Sequence, residues 1–259
     1  MPLRGQLREA LRRHRALVLL SDLDGTLAPI RDRPQDARLP PQTHRALARL
    51  ARHPGVRVGF LSGRSLGDLR RRVGLSSAVY AGSHGLEIAC RRANFRHPRA
   101  VAAARLLRRV SRELARRTAR LGGVVVETKS LAVAVHFRAA DPAAVARLRA
   151  IVREVTGRVP ALEVLAGKKV LEVRPRVGWG KGEAVALLRS VLAKSLGRAS
   201  FVTLYLGDDA TDEAAFRALR GKAFCVVVGR RRSGASYRLR GPAAVADLLA
   251  WLAEVLAGC

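Results

Sequence analysis

Cysteine, aromatic side chains, acidic groups and long apolar runs are all scarce in this chain. Its three cysteines, Cys90, Cys225 and Cys259, are odd in number, far apart and without CxxC spacing, which argues against a disulfide framework and a cysteine zinc site. No apolar run approaches the roughly 20 residues needed to cross a bilayer, so no membrane attachment is expected. The N-terminal segment leads straight into aspartates 22 and 24, and removing a leader there would destroy the pair; a cytoplasmic chain is expected. Aromatics are 4% of residues, too few for a base-stacking platform. Acids are outnumbered by cations 20 to 49, for a net charge of +29. Such an excess suits a phosphate backbone, but 43 of the cations are Arg, scattered over nearly every predicted helix. A general bias toward Arg and Ala explains them more simply, and no specific nucleic-acid partner is expected. The informative scarcity is Lys, because four of the six, Lys129, Lys168, Lys169 and Lys181, fall inside the motifs below. A compact ammonium and a planar guanidinium are not interchangeable where one atom must be approached.

With 259 residues, 49% of them hydrophobic, the chain can bury a full core or a core with a smaller inserted domain. Apolar runs of strand length at 16–21, 56–60, 202–206 and 223–228 are each followed by Gly, Ser or Asp, with helical patterns between them. One helix is predicted over about 42–52, stopped by His53-Pro54-Gly55. Another starts at Ser65, with Asp68 three residues on as a capping box. This alternation predicts a parallel α/β sheet. The middle differs. A long helix over about 99–121 carries the stripe Leu106, Leu107, Val110, Leu114 and Leu121 and ends at Gly122-Gly123. VVVET and LAVAVHFR around Lys129-Ser130 read as a hairpin, followed by a helix over 142–156 and a second hairpin, LEVL and KVLEVRP. This αββαββ unit is placed at 97–175, leaving 1–96 and 176–259 as a discontinuous core.

Four motifs carry chemistry. SDLDGTLAPI (21–30) follows the first apolar strand and puts Asp22 and Asp24 on one side of the chain at a sheet's carboxyl edge, where open α/β sheets bind ligands. Gly25 permits a tight turn that brings backbone close to an anion. LSGRS (61–65) ends the next strand with Ser62 and a helix start suited to an anion. WGKGE (179–183) sets Lys181 between two glycines at the head of a helix. GDDATDEAAF (207–216) crowds Asp208, Asp209, Asp212 and Glu213 at a second strand end. Acids at a helix start also serve as caps, and that ordinary role is assigned to Asp212 or Glu213. Asp208 and Asp209 facing the first pair form an oxygen donor set that favours Mg²⁺. His84 is read as a loop residue and His136 as structural.

In this order the four motifs resemble the haloacid-dehalogenase superfamily of phosphotransferases. GSHGLE (82–87), VETKSLAVAVHFR (126–138) and GKKVLEVRPRVGWGKG (167–182), with the last acidic motif, resemble the trehalose-6-phosphate phosphatases over nearly the whole chain. The resemblance implies a Rossmann-like core with an inserted mobile cap, and Mg²⁺-dependent hydrolysis of trehalose 6-phosphate through a phospho-aspartate. On that reading Asp22 is the nucleophile and Asp24 the acid and base, while Ser62 and Lys181 hold the phosphoryl oxygens. Asp22, the carbonyl of Asp24 and Asp208 hold the ion, supported by Asp209. Gly25, Thr26, Gly63 and Arg64 are assigned to the phosphate side of the substrate, and Glu127, Lys129, Arg138, Lys168 and Glu172 to its sugar. Leu23 and Thr128 stand where the family more often has an aromatic and an acid. A monomer is expected, with trehalose-6-phosphate synthase as a separate pathway partner. The rival readings are a phosphatase for another sugar phosphate, such as sucrose 6-phosphate, and a basic nucleic-acid-binding protein on the same scaffold.

Overall fold

The computed structural model describes residues 3–31, 34–90, 93–167, 169–197 and 200–258; Lys168 and Cys259 lie outside the described residues. Two compact units emerge, Met1–Asn94 with Gly180–Cys259, and Phe95–Trp179. In chain order the regular elements up to the second unit are α1 (Leu3–His14), β1 (Leu17–Ser21), α2 (Pro41–Arg52), β2 (Val56–Leu61), α3 (Leu66–Val73), β3 (Val79–Gly82), β4 (Glu87–Cys90) and β5 (Ala93–Arg96). Then follow α4 (Pro98–Ala102), α5 (Ala104–Thr118), β6 (Val125–Thr128), β7 (Val133–His136), α6 (Pro142–Gly157), β8 (Leu162–Gly167) and β9 (Val170–Pro175). The chain closes with α7 (Lys181–Leu196), β10 (Val202–Gly207), α8 (Asp212–Ala218), β11 (Phe224–Val228), β12 (Tyr237–Leu239) and α9 (Pro242–Ala257).

The large sheet runs β12-β11-β10-β1-β2-β3-β4-β5. Every residue of β1 is buried, as its unbroken apolar run requires of a strand covered on both faces. It pairs in parallel with β10 on one side and β2 on the other, Ser21 opposite both Leu206 and Phe60. The three strands therefore end at one level. Their next residues are Asp22, Gly207-Asp208 and Leu61-Ser62, which is how distant motifs reach one edge. Strand order reverses beside β1, the position where open α/β sheets form a ligand crevice. Leu7, Leu11, Leu47, Leu50, Leu249 and Leu252, from α1, α2 and α9, cover one face of the sheet. Among the described residues no helix is long and apolar enough to cross a membrane.

The second unit is a four-stranded antiparallel sheet, β6-β7-β9-β8. Leu107, Val110 and Leu114 of α5 and Leu148, Val152 and Val155 of α6 pack with Val133, Val135, Leu171 and Val173 on one side of it. The long helix predicted over 99–121 is corrected in two places. It is interrupted at Ala103, where ψ opens to −3° and no side chain caps α5, and its α-helical part ends at Thr118. The Thr118 hydroxyl turns back to the Leu114 carbonyl, and the chain tightens so that the Leu121 amide donates to the Thr118 carbonyl. Leu121 thus stays packed on the core from outside the helix. Gly167 at the end of β8 pairs with Val170 at the start of β9, and Lys169 before β9 sits at φ +61°.

Candidate active site

Lys181 is the first residue of α7 and is only 3% exposed. The Glu183 carboxylate accepts the Gly180 amide and fixes that helix start. From there the Lys181 ammonium donates to Asp22 Oδ1 at 3.0 Å and to Asp212 Oδ1 at 2.8 Å. Asp212 is fully buried. Its Oδ1 also accepts the Tyr205 hydroxyl at 2.6 Å, and its Oδ2 accepts the amides of Asp208 and Asp209 at 3.0 and 2.9 Å. Asp212 is therefore the hub of the acidic loop, correcting the cap role assigned from sequence. Gly207 permits this packing, since a Cβ there would lie 2.4 Å from Asp212 Cγ.

Asp22, Asp208 and Asp212 are all buried and can each bring one oxygen within 4.8 Å of the others. Burial pushes the Asp22 carboxyl well above the ordinary carboxylate range. Lys181 opposes that rise, and Asp212, Asp208 and Asp24 add to it. Burial would also raise Asp212, but Lys181, Tyr205 and the Asp209 amide hold it below its usual value. For Lys181, burial works against the charge, yet Asp212 and Asp22 lift its pKa above the ordinary lysine value. Among these four buried side chains three carboxylates face one ammonium, a deficit of positive charge that helps raise Asp22, and buried charge is costly without a partner. A divalent cation with oxygen ligands fits that deficit. Both oxygens of Asp212 are already engaged, which leaves Asp22 and Asp208 as the side chains able to hold it.

The other site residues from the sequence fall around this point as follows. Thr26 Oγ1 donates to Asp208 Oδ1 at 3.4 Å. Gly25 has φ +85°, and a Cβ would lie 2.1 Å from Asp208 Oδ2; its amide donates to the Ala28 carbonyl. Ser62 is buried, its hydroxyl accepting the Arg64 amide and its carbonyl the His84 amide, which ties the GSHGLE loop to LSGRS. Gly63 lies in the bend between Ser62 and Arg64. Arg64 grips both oxygens of Asp24, Nε to Oδ2 at 2.6 Å and NH2 to Oδ1 at 2.7 Å, while its NH1 holds Asp68 at 2.7 Å. The Asp68 carboxylate is thus taken by Arg64 and Arg72, while the Ser65 hydroxyl accepts the Asp68 amide at the head of α3. Asp209 accepts the Thr211 amide.

In the second unit Lys129 pairs with Glu172 at 3.0 Å, both side chains under 10% exposed. Glu127 meets His136 Nε2 at 2.8 Å, so His136 has a polar partner within the sheet. Arg138 is half-buried in the turn after β7. Sequence reasoning missed Asp212 as the hub and Tyr205 altogether. The available signals were the fourth acid in GDDATD and the alternation that sets Tyr205 on the same strand face as Gly207.

A parallel sheet with two adjacent central strands ending in carboxylates, and an antiparallel unit inserted in the chain, is a fold known from solved hydrolases. A haloacid dehalogenase-like hydrolase from Bacteroides thetaiotaomicron shares this fold, with a TM-score of 0.63 and 16% identity over 92% of this chain and 98% of that one. The chain belongs to the trehalose-phosphatase family, whose model matches residues 20–243. A trehalose-phosphate phosphatase of Mycobacterium tuberculosis is 40% identical over 91% of this chain and 61% of that protein. The C-terminal domain of the C. albicans trehalose-6-phosphate phosphatase superposes with a TM-score of 0.83, at 26% identity over 97% of both chains. The chain spans about three fifths of the length of the curated relative it matches.

Proposed function

We propose that this protein hydrolyses trehalose 6-phosphate to trehalose and phosphate, with Mg²⁺ bound by Asp22, the Asp24 carbonyl and Asp208 and supported by Asp209. The observation carrying this reading is the buried cluster of Asp22, Asp208 and Asp212 bridged by Lys181, in a chain of this family. The cation would offset repulsion between the anionic substrate and a carboxylate nucleophile.

Asp22 attacks phosphorus in line, forming a phospho-aspartate as the sugar 6-oxygen departs. Asp24 gives that oxygen a proton and later takes one from the water that hydrolyses the acyl phosphate. Because Arg64 holds both Asp24 oxygens in the structure, one arm of the fork must release when Asp24 serves as acid. Lys181 and Ser62 stabilise the moving phosphoryl charge. Gly25, Thr26 and Gly63 shape the phosphate loops. Glu127, Lys129, Arg138, Lys168 and Glu172 read the sugar, and the 95–179 unit acts as the cap. The buried Lys129–Glu172 pair offers an adjacent donor and acceptor, a suitable combination for sugar hydroxyls.

The test is phosphate release from trehalose 6-phosphate, sucrose 6-phosphate, glucose 6-phosphate and an aryl phosphate, with Mg²⁺ and with chelator. Trehalose 6-phosphate should be preferred, and chelator should abolish all turnover; preference for sucrose 6-phosphate would transfer the assignment to that substrate. Glu172→Ala should lower kcat/KM on trehalose 6-phosphate by on the order of 10²-fold, the cost of a lost buried ion pair with Lys129 plus a lost sugar contact. Its activity on the aryl phosphate should change by less than about threefold. Equal losses on both substrates would remove Glu172 from sugar recognition.

A further inference from the structure

The second unit carries a cationic groove with no part in the chemistry above. Arg105, Arg108, Arg109 and Arg112 line an open cavity of about 610 Å³ together with Ser111 and Thr128. Spacings of three, four and seven residues put the four arginines on one face of α5, across about 10 Å of helix. All four are exposed, while the Ser111 and Thr128 hydroxyls are hydrogen-bonded to each other at the groove's edge.

Pairing within α5 is uneven. Its one acid, Glu113, is taken by Arg116, and Arg117 pairs with Glu154 of α6. None of the four groove arginines has a carboxylate partner among the described residues. Each faces like charges three or four positions away, an arrangement that destabilises a helix. Arg105 also lies in the first turn of α5, where the helix dipole favours anions and opposes cations. A bound anion reverses both effects. Guanidinium groups suit phosphate in particular, because their planar fork matches two oxygens at once.

The dimensions favour a small ligand over a strand. A cavity of this volume lies within the range that holds small molecules, and two helical turns of arginine without an aromatic lining are a poor track for nucleic acid. We propose that this groove binds a dissolved oligophosphate, a compound bearing two or more adjacent phosphates. The inference does not depend on the phosphatase reading, since it concerns α5 and β6 alone.

Tripolyphosphate tests it, titrated into the full chain by calorimetry at fixed ionic strength with chelator present. The double variant Arg108→Gln/Arg112→Gln should bind at least tenfold more weakly than the parent. Without ligand it should melt no lower, because like charges have been removed. Orthophosphate should bind the parent at least tenfold more weakly than tripolyphosphate. Parental affinity in the variant, or orthophosphate matching tripolyphosphate, would overturn the proposal; a single-stranded oligonucleotide binding more tightly than tripolyphosphate would replace it with a nucleic-acid surface. Should that variant melt lower, Arg105→Gln/Arg109→Gln carries the same expected tenfold loss and the same failure criterion.

Discussion

Asp22→Asn should lower phosphate release by on the order of 10⁴-fold or more while leaving the fold intact. The expectation rests on position and on what asparagine retains. Asp22 follows β1 directly, its amide held by the Leu206 carbonyl, and its Oδ1 accepts the Lys181 ammonium. Asparagine keeps the volume and an acceptor oxygen for Lys181, but it cannot form an acyl phosphate that water then hydrolyses. In metal-free protein the change should also raise the melting temperature at neutral pH. Burial and neighbouring acids hold Asp22 above the ordinary carboxylate range. The unfolded chain therefore releases that proton first, and the metal-free fold loses stability as pH rises from the unfolded value through the folded one. Removing the group removes that loss. Turnover within tenfold of the parent would exclude Asp22 as the nucleophile.

Lys181→Met should be the most damaging single change to both stability and rate. The ammonium bridges two carboxylates at 3.0 and 2.8 Å and is nearly inaccessible. Methionine approximates the aliphatic stem and leaves Asp22 and Asp212 without their cation. Breaking a buried ion pair from one side costs about 3–5 kcal/mol, which thermal unfolding in chelator would register. Where enough folded protein remains, turnover with Mg²⁺ should fall by on the order of 10²- to 10³-fold, as expected when a charge-stabilising donor is lost. A variant with parental melting and rate would show that Lys181 neither holds the cluster nor serves the reaction.

What the sequence disclosed and what it hid divide along a physical line. Asp22, Asp208, Ser62 and Lys181 were legible because strand ends and helix starts are local signals, and a parallel sheet carries strand ends to one edge. The α2 and α7 helices were legible for the same reason, being periodic and bounded by Pro or Gly. Asp212 was hidden by a competing local rule, since an acid at the first position of α8 is an ordinary stabiliser of a helix start. Only the tertiary placement of Lys181, 31 residues earlier, gives it another role. The Arg64–Asp24 fork spans 40 residues and the Lys129–Glu172 pair 43. Such pairings depend on sheet register and loop path, which spacing alone does not encode. The end of α5 at Thr118 was hidden because the apolar stripe runs on through Leu121 without regard to where the helix stops.

The central claim is that one divalent ion completes the charge balance of Asp22, Asp208, Asp212 and Lys181. Its most direct test is a titration of metal-free protein with Mn²⁺, following the free ion by electron paramagnetic resonance, with Mg²⁺ as competitor. The account predicts about one ion bound per chain, displaced by Mg²⁺, with affinity lowered at least tenfold in Asp208→Asn. Binding unchanged in that variant, or no binding by the parent at millimolar ion, would contradict it.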